Sequence, residues 1–160
     1  VAELVHKIWP LVSNKLRFTK LWIVGKFPTQ EILLFKGKRI EVSEDVEDIR
    51  RAYEESAKLL APIYGPGGTR YKILEAMASG VPVVTTPQGI EGLGLEDGKE
   101  ALVRNDASGL ADATIEVLTS ANLYQKLATQ ANSLVREIYN WTSIANSLDS
   151  IYEEVAHEKH

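Results

Sequence analysis

Short apolar runs alternate with longer amphipathic stretches along the first two thirds of the chain. Four of these runs are almost wholly apolar and end at glycine, proline or polar turn residues, as strands buried on both faces of a parallel sheet do. They cover residues 21–24, 59–63, 81–84 and 101–103. A fifth, shorter strand is predicted at residues 40–42, where apolar and charged residues alternate.

The stretches between these runs carry apolar residues three and four positions apart, which predicts amphipathic helices. Helices are predicted at residues 2–16, 46–56 and 69–79. Pro10 lies inside the first helix and is expected to kink or break it, because proline lacks an N–H group and its ring clashes with the preceding turn. Strands that alternate with helices predict right-handed crossovers and a Rossmann-like α/β fold, a doubly wound parallel sheet with helices on both faces.

The last third of the chain is predicted to be helical throughout. Amphipathic helices are expected at residues 108–119, 122–138 and 141–156. They form either a cap on the sheet or an arm that packs on something else. The three tryptophans, Trp9, Trp22 and Trp141, are expected to be core or capping residues. No repeat or linker divides the sequence, so we predict one domain over residues 1–160.

Composition excludes several classes of function. The 160 residues are 44% hydrophobic and 25% charged, which is typical of a globular domain. Eighteen basic and 22 acidic residues, with no Lys/Arg block, predict no nucleic-acid partner. Without cysteine there is no disulfide, iron–sulfur cluster or thiol nucleophile, and histidines only at positions 6, 157 and 160 predict no metal site. No apolar run is long enough to span a membrane and no signal peptide is visible, so a cytoplasmic location is expected.

One segment carries candidate chemistry, the glycine-rich turn at residues 66–69 between a predicted buried strand and a predicted helix. Glycine lets the backbone approach a ligand closely, and the free N–H groups of a first helical turn attract a phosphate or diphosphate. Arg70 and Lys72 add cationic groups there. The alternative is a tight turn without a ligand, with Lys72 and Glu75 forming a surface ion pair, and the residues alone do not separate the two interpretations.

The segment from Gly67 to Val84, followed by residues 89–93, resembles the signature of group 1 (family 4-like) glycosyltransferases of the GT-B fold. The shared pattern is a Gly-Gly-Thr turn, a lysine, Leu-Glu-Ala-Met-Ala, and then Gly-x-Pro-Val-Val-x-Thr. Residues 21–25 and 139–141 fit the family as well. The resemblance implies the C-terminal domain of a two-domain enzyme, in which this half binds a nucleotide-sugar donor and a missing N-terminal domain binds the acceptor.

The resemblance also implies roles for single residues. Glu75 matches the glutamate that hydrogen-bonds the ribose hydroxyls of the donor, and a carboxylate suits a diol because it accepts two hydrogen bonds at once. The backbone N–H groups of Gly67, Gly68 and Thr69 are expected to face the diphosphate or the sugar. Lys72 is expected to reach phosphate oxygens, with the ion pair to Glu75 as the alternative.

Three further positions are weaker candidates. Ser43 and Val46 are expected where the nucleobase lies in relatives, and the alternative is that Ser43 or Asp45 simply caps a helix. Glu91 follows a strand end at the expected cleft. It is either a contact to the donor or a loop charge.

Two departures from the family pattern limit what the chain is expected to do. Gly67 stands where the family often has a first glutamate that faces the donor sugar. The strand and basic loop that usually open this domain, with an Arg and a Lys that clamp the diphosphate, are not matched. The sheet is therefore expected to have an open edge, and the isolated chain is expected to transfer no sugar.

The function expected from the resemblance is the donor-binding half of a hexosyltransferase-type enzyme. It transfers a sugar from UDP or GDP to a saccharide or lipid acceptor, with retention of configuration. The nucleotide-sugar is a substrate and no cofactor is expected. Any peripheral membrane contact is expected to come through the missing domain. The alternative is a non-catalytic α/β interaction module that has kept the scaffold and lost the site.

Overall fold

The chain alternates parallel strands with helices in the expected order. A computed structural model describes residues 1–44, 46–65, 68 and 70–157. The strands are β1 Leu21–Gly25, β2 Ile40–Glu44, β3 Leu59–Ala61, β4 Val83–Thr85 and β5 Leu102–Val103. The α-helices are α1 Trp9–Lys15, α2 Gln30–Leu33, α3 Ile49–Glu54, α4 Tyr71–Ala78, α5 Pro87–Ile90, α6 Ala107–Thr119, α7 Ala121–Ile138 and α8 Trp141–His157. All five predicted strands and the six longer predicted helices are confirmed, whereas the one-turn helices α2 and α5 were not expected.

Pro10 does not end the first helix, but the helix changes type directly before it, so the prediction that Pro10 disturbs the helix is confirmed in part. A π-helical segment, Leu4–Ile8, leads directly into α1, and Pro10 occupies the first turn of α1. A proline is tolerated in a first helical turn because its missing N–H group has no partner there. π-Helical turns are rare, and like proline they mark places where a helix departs from regular α geometry.

The five strands are all parallel, but they form two sheets. β1 pairs with β2, from Leu21 opposite Ile40 to Gly25 opposite Glu44. The second sheet has the order β3-β4-β5. Within the described residues, β1 and β3 therefore each have one neighbouring strand, whereas β4 has two. The expected parallel α/β fold is confirmed, and the strands of the described residues form two sheets instead of one.

Helices cover both faces of the strands, as predicted. On one face the π-helical segment, α1 and α6 pack with side chains from both sheets, including Leu21 of β1 and Val84 of β4. On the other face α3, α4 and α7 pack around Ile73, Met77 and Val83. The two sheets thus share one core on the first face, although no strand pairing among the described residues joins them.

The last helix forms an arm. α7 packs on α4, where Nδ2 of Asn132 donates to the carbonyl groups of Met77 (3.1 Å) and Ala78 (2.8 Å). α8 contacts α7 and leaves its apolar side chains exposed. Trp9 is buried as expected, whereas Trp141 at the start of α8 is 87% exposed, so its assignment to the core was wrong. No helix in the described ranges is both long and apolar enough to cross a bilayer.

Candidate functional site

Two buried threonines hold the chain between β3 and the glycine-rich turn. The Oγ1 of Thr85, at the end of β4, donates to the carbonyl of Ala61 at the end of β3 (2.7 Å). The next residue, Thr86, donates to the carbonyl of Ile63 and accepts a hydrogen bond from the Ile63 N–H (3.3 Å). Both threonines are fully buried. The backbone that leads to the turn is therefore fixed to the end of a central strand.

The turn itself leads into the N-terminus of α4. Gly68 is exposed and has a φ of +72°, a left-handed conformation that glycine adopts without strain. Gly67 and Thr69, two of the predicted ligand-binding residues, lie outside the described residues. Because α4 begins at Tyr71, the N–H groups of Tyr71 and Lys72 have no acceptor within the helix, and they carry the positive end of its dipole. The helix start lies where the sequence predicted it, and anion binding there stays a prediction.

Arg70 connects this turn to the loop after β4. Its Nε donates to the carbonyl of Gln88 in α5 (3.0 Å), and its Nη2 lies 3.5 Å from the carbonyl of Gly65. α5 lies close to β4: a Cβ atom on Gly89 would be 2.0 Å from Oγ1 of Thr85, so only glycine fits there without a shift. Arg70 is thus oriented by one carbonyl directly before the glycine-rich turn and by one carbonyl of α5.

Glu75 lies one helical turn further along α4 and is held by a residue of another helix. The hydroxyl group of Tyr53, in α3, lies 3.2 Å from Oε2 of Glu75 and 3.1 Å from the carbonyl of Lys72. Burial raises the pKa of Tyr53 above its usual range, and the neighbouring Glu75 charge raises it further. The hydroxyl therefore stays protonated at neutral pH. Its single proton is shared between the Lys72 carbonyl and the exposed carboxylate of Glu75, which holds both groups beside Tyr53.

Lys72 is exposed on the first turn of α4. Among the ion pairs of the described residues, none joins Lys72 to Glu75. The alternative interpretation of these two residues as a surface ion pair is therefore not found in the structure. Glu75 instead accepts its hydrogen bond from Tyr53.

The three weaker candidates lie apart from these contacts. Ser43 is in β2, where its Oγ accepts a hydrogen bond from Nε1 of Trp22 (2.8 Å). It is not a helix cap, because α3 is capped by Asp48, whose side chain accepts from the Arg50 N–H; Asp45 lies outside the described residues. Val46 is half-buried in the connection from β2 to α3, and Glu91 is exposed directly after α5. Neither takes part in a side-chain hydrogen bond within the described ranges.

Sequence reasoning missed three residues that shape this site. Nothing local to residues 46–56 indicates that the hydroxyl group of Tyr53 reaches α4. Thr86 and Gly89 were recognised only as parts of the family pattern. Thr86 acts through its hydrogen bonds to Ile63, which lies 23 residues earlier in the chain. Gly89 acts through its close approach to Thr85, four residues earlier.

Comparisons with known proteins identify the family. The sequence matches the family described as glycosyl transferases group 1 over residues 1–120. Mannosylfructose-phosphate synthase of Agrobacterium fabrum is 31% identical over 112 residues, which are 69% of this chain and 24% of that enzyme. The chain spans only 24% to 39% of the length of the curated relatives that it matches.

Solved structures show the same fold. The C-terminal domain of a group 1 glycosyl transferase (LpcC) of Francisella tularensis has a TM-score of 0.73 at 20% identity, over 87% of this chain and 78% of that chain. Anabaena HepE in complex with UDP-glucose has a TM-score of 0.69 at 17% identity, over 92% of this chain and 45% of that chain. The fold is that of the C-terminal half of GT-B enzymes, and the chain belongs to group 1 of the glycosyl transferases.

Proposed function

We propose that this chain is the donor-binding half of a two-domain glycosyltransferase. It binds a UDP- or GDP-sugar, and an N-terminal domain of the same protein binds a saccharide or lipid acceptor. The enzyme is of the hexosyltransferase type and transfers the sugar with retention of configuration. The solved relative HepE, which is described in complex with UDP-glucose, supports this class of donor.

The observation that carries the proposal is the position of Glu75 relative to the start of α4. Glu75 lies four residues after Tyr71, which is about 6 Å along the helix axis. A diphosphate at the N–H groups of Tyr71 and Lys72 therefore leaves the adjoining ribose near the Glu75 carboxylate. The Tyr53 hydroxyl fixes one oxygen of that carboxylate, so the group is positioned before a ligand arrives.

The two separate sheets support the proposal that the rest of the protein completes this domain. β1 and β3 consist almost wholly of apolar residues but are mostly half-buried, whereas β4 is fully buried between its two neighbours. Since both sheets share one core, a further parallel strand between β1 and β3 would join them into a single sheet. Exposed strand edges of this kind pair readily with another segment.

A comparison of two glutamate variants tests the donor site. Nucleoside diphosphate binding to the isolated chain is expected to be weak, on the order of millimolar, because only a helix terminus and nearby cations hold the diphosphate. Glu75→Gln should weaken the binding of UDP or GDP by about 1–3 kcal/mol, the value of a lost hydrogen bond to a charged group. Glu54→Gln, which removes an exposed carboxylate from α3, is the matched control and should leave the affinity unchanged.

Calorimetry and thermal melting distinguish the outcomes. If Glu75→Gln binds as tightly as the original chain but melts at a much lower temperature, Glu75 is structural and the donor site is wrongly placed. If neither UDP nor GDP binds, the chain is an interaction module that has kept only the scaffold.

The isolated chain is also expected to have no transferase activity. Transfer requires donor and acceptor to be held together at reacting distance, and this chain supplies one side of the cleft. Conversion of a nucleotide-sugar to a glycoside by the purified 160-residue chain would contradict the proposal that donor and acceptor bind to different domains.

A further inference from the structure

Two large apolar side chains project fully into solvent near the N-terminal ends of β1 and β2. Phe18, in the loop between α1 and β1, is completely exposed, and Leu34, directly after α2, is 83% exposed. Side chains of this size are stabilised by burial, so the exposure of two of them in one region indicates a surface that meets something apolar.

Exposed cations surround these two side chains. Arg17 and Lys20 flank Phe18 in sequence, and Lys36 and Lys38 follow Leu34. Lys20, Lys36 and Lys38 line one groove of about 330 Å³ along β2, which also contains Glu41. Among the ion pairs of the described residues, none involves these four cations. We call this surface the basic edge; it consists of Arg17, Phe18, Lys20, Leu34, Lys36 and Lys38.

Hydrogen bonds fix the two loops of the basic edge beside each other. The guanidinium group of Arg39 donates to the carbonyls of Ser13 (2.7 Å), Leu16 and Thr19 (3.1 Å). The Leu21 N–H donates in turn to the carbonyl of Arg39 (3.0 Å). The loop that carries Phe18 and the turn that carries Lys36 and Lys38 are therefore held beside each other, and Leu34 lies two residues before Lys36 at the start of that turn.

The charge of the chain is strongly segregated. Residues 1–40 contain eight lysines and arginines against two acidic residues, whereas residues 41–160 contain ten against twenty. The net charge of -4 hides this division. An anionic surface therefore attracts the basic edge and repels most of the remaining molecule, which orients the chain on that surface.

We propose that the basic edge binds the surface of a bilayer that contains anionic lipids, with the cations at the headgroups and Phe18 and Leu34 inserted among the acyl chains. Clustered lysines beside an anionic leaflet, with aromatic and aliphatic side chains at the boundary, are the combination that holds peripheral proteins to membranes. Lysines alone would also protect the edge strand β2 from pairing. That role does not account for the exposure of Phe18 and Leu34.

Sedimentation with lipid vesicles tests the proposal on the full chain. Vesicles of phosphatidylcholine with about one-third phosphatidylglycerol should bind the chain, binding should weaken as salt is added, and vesicles of phosphatidylcholine alone should bind it much less. The double variant Lys36→Glu/Lys38→Glu should lower the partition coefficient at least about tenfold. Phe18→Ser should lower it severalfold.

Phe27 offers a matched control. It is 94% exposed but follows the opposite end of β1, so Phe27→Ser makes the same chemical change outside the basic edge. This variant should bind vesicles as the original chain does. Circular dichroism checks that all variants keep their fold, which is expected because every changed side chain is exposed.

Several results would overturn the proposal. Equal binding to neutral and anionic vesicles, or none to either, removes the role of the cations. Equal losses for Phe18→Ser and Phe27→Ser remove the assignment to this surface. Single-stranded RNA that binds more tightly than the vesicles, and loses affinity in the Phe18→Ser variant, would assign the basic edge to nucleic acid instead.

Discussion

The hydroxyl group of Tyr53 lies 3.2 Å from Oε2 of Glu75, so a buried residue of α3 holds an exposed carboxylate of α4. The same hydroxyl lies 3.1 Å from the carbonyl of Lys72 in the first turn of α4. One buried donor thus connects the helix that follows β2 to the helix that follows the glycine-rich turn. If Glu75 binds the ribose of a nucleotide, Tyr53 is a positioning residue for that contact.

Tyr53→Phe tests this role, because it keeps the ring in the core and removes only the hydroxyl. The loss of one hydrogen bond should reduce the free energy of unfolding by about 1 kcal/mol. The affinity for nucleoside diphosphate should fall severalfold, because Glu75 is no longer held in one orientation. Calorimetric titration and urea unfolding give the two values separately. An unchanged affinity with a lowered stability would make Tyr53 a core residue without a part in binding.

Gly68 should tolerate some side chains and reject others, according to their backbone preferences. Its φ of +72° is one that asparagine adopts readily, and no atom lies within 4 Å of the place where a Cβ would be. Gly68→Asn should therefore fold and retain nucleotide binding. Gly68→Val should abolish binding, because a β-branched residue is strained there by about 1–2 kcal/mol and blocks approach to the backbone.

An NMR titration with UDP and GDP measures both variants. In the original chain, amide shifts should centre on Gly68 and the start of α4, vanish in Gly68→Val and persist in Gly68→Asn. Shifts that map to the helices after residue 107, or a Gly68→Val variant that still binds, would place the ligand elsewhere.

The strands and longer helices were predictable from the sequence because their signals are local. Apolar runs bounded by turn residues mark buried parallel strands, and the start of α4 at Tyr71 follows directly from the glycine-rich turn. The one-turn helix α2 was missed because four residues are too few to show a helical period. The first helix contains a π-helical segment directly before Pro10, and no pattern in the sequence predicts such a segment.

What the sequence did not reveal depends on contacts between distant segments. The bond from Tyr53 to Glu75 joins residues 22 positions apart, and the division of the strands into two sheets depends on which edges meet. The net charge of -4 also gave no sign of the basic edge, because the excess of acidic residues after position 40 outweighs the excess of basic residues in 1–40. The start of α4 was therefore predictable, whereas the contacts that hold its side chains were not; that a ligand binds there stays a prediction.

Gly89→Ala should destabilise the chain through a clash that the sequence does not reveal. A Cβ atom at this position would lie 2.0 Å from Oγ1 of Thr85, a buried residue that is itself hydrogen-bonded to Ala61. α5 must then move away from β4, which should cost about 1–3 kcal/mol of stability. Gly65→Ala is the matched control, since no atom lies within 4 Å of its Cβ position and its φ is not in the left-handed region. Urea unfolding that shows equal costs for both variants would contradict the close contact.

Lys58 should make the stability of the chain rise with pH above about 6. It immediately precedes β3, and its Nζ is buried without a hydrogen-bond partner in the described part of the chain. Burial lowers its pKa from 10.5 to about 6. Between these two values the unfolded chain binds a proton that the folded chain does not, so the free energy of unfolding increases with pH across this interval. At pH values below 6 both states are protonated, and the full penalty, on the order of a few kcal/mol, is present.

Lys58→Met removes this penalty and isolates it from other titrations. Methionine fills a similar volume without a charge, so the variant should be more stable than the original chain near pH 6, and the difference should shrink toward pH 10. Lys26→Met, which changes an exposed lysine, should follow the original chain at every pH. Urea unfolding at intervals between pH 6 and pH 10 gives the three curves. If the Lys58→Met curve runs parallel to that of the original chain, the ammonium group is solvated or paired in solution, and Lys58 is not the buried, neutral amine that the structure indicates.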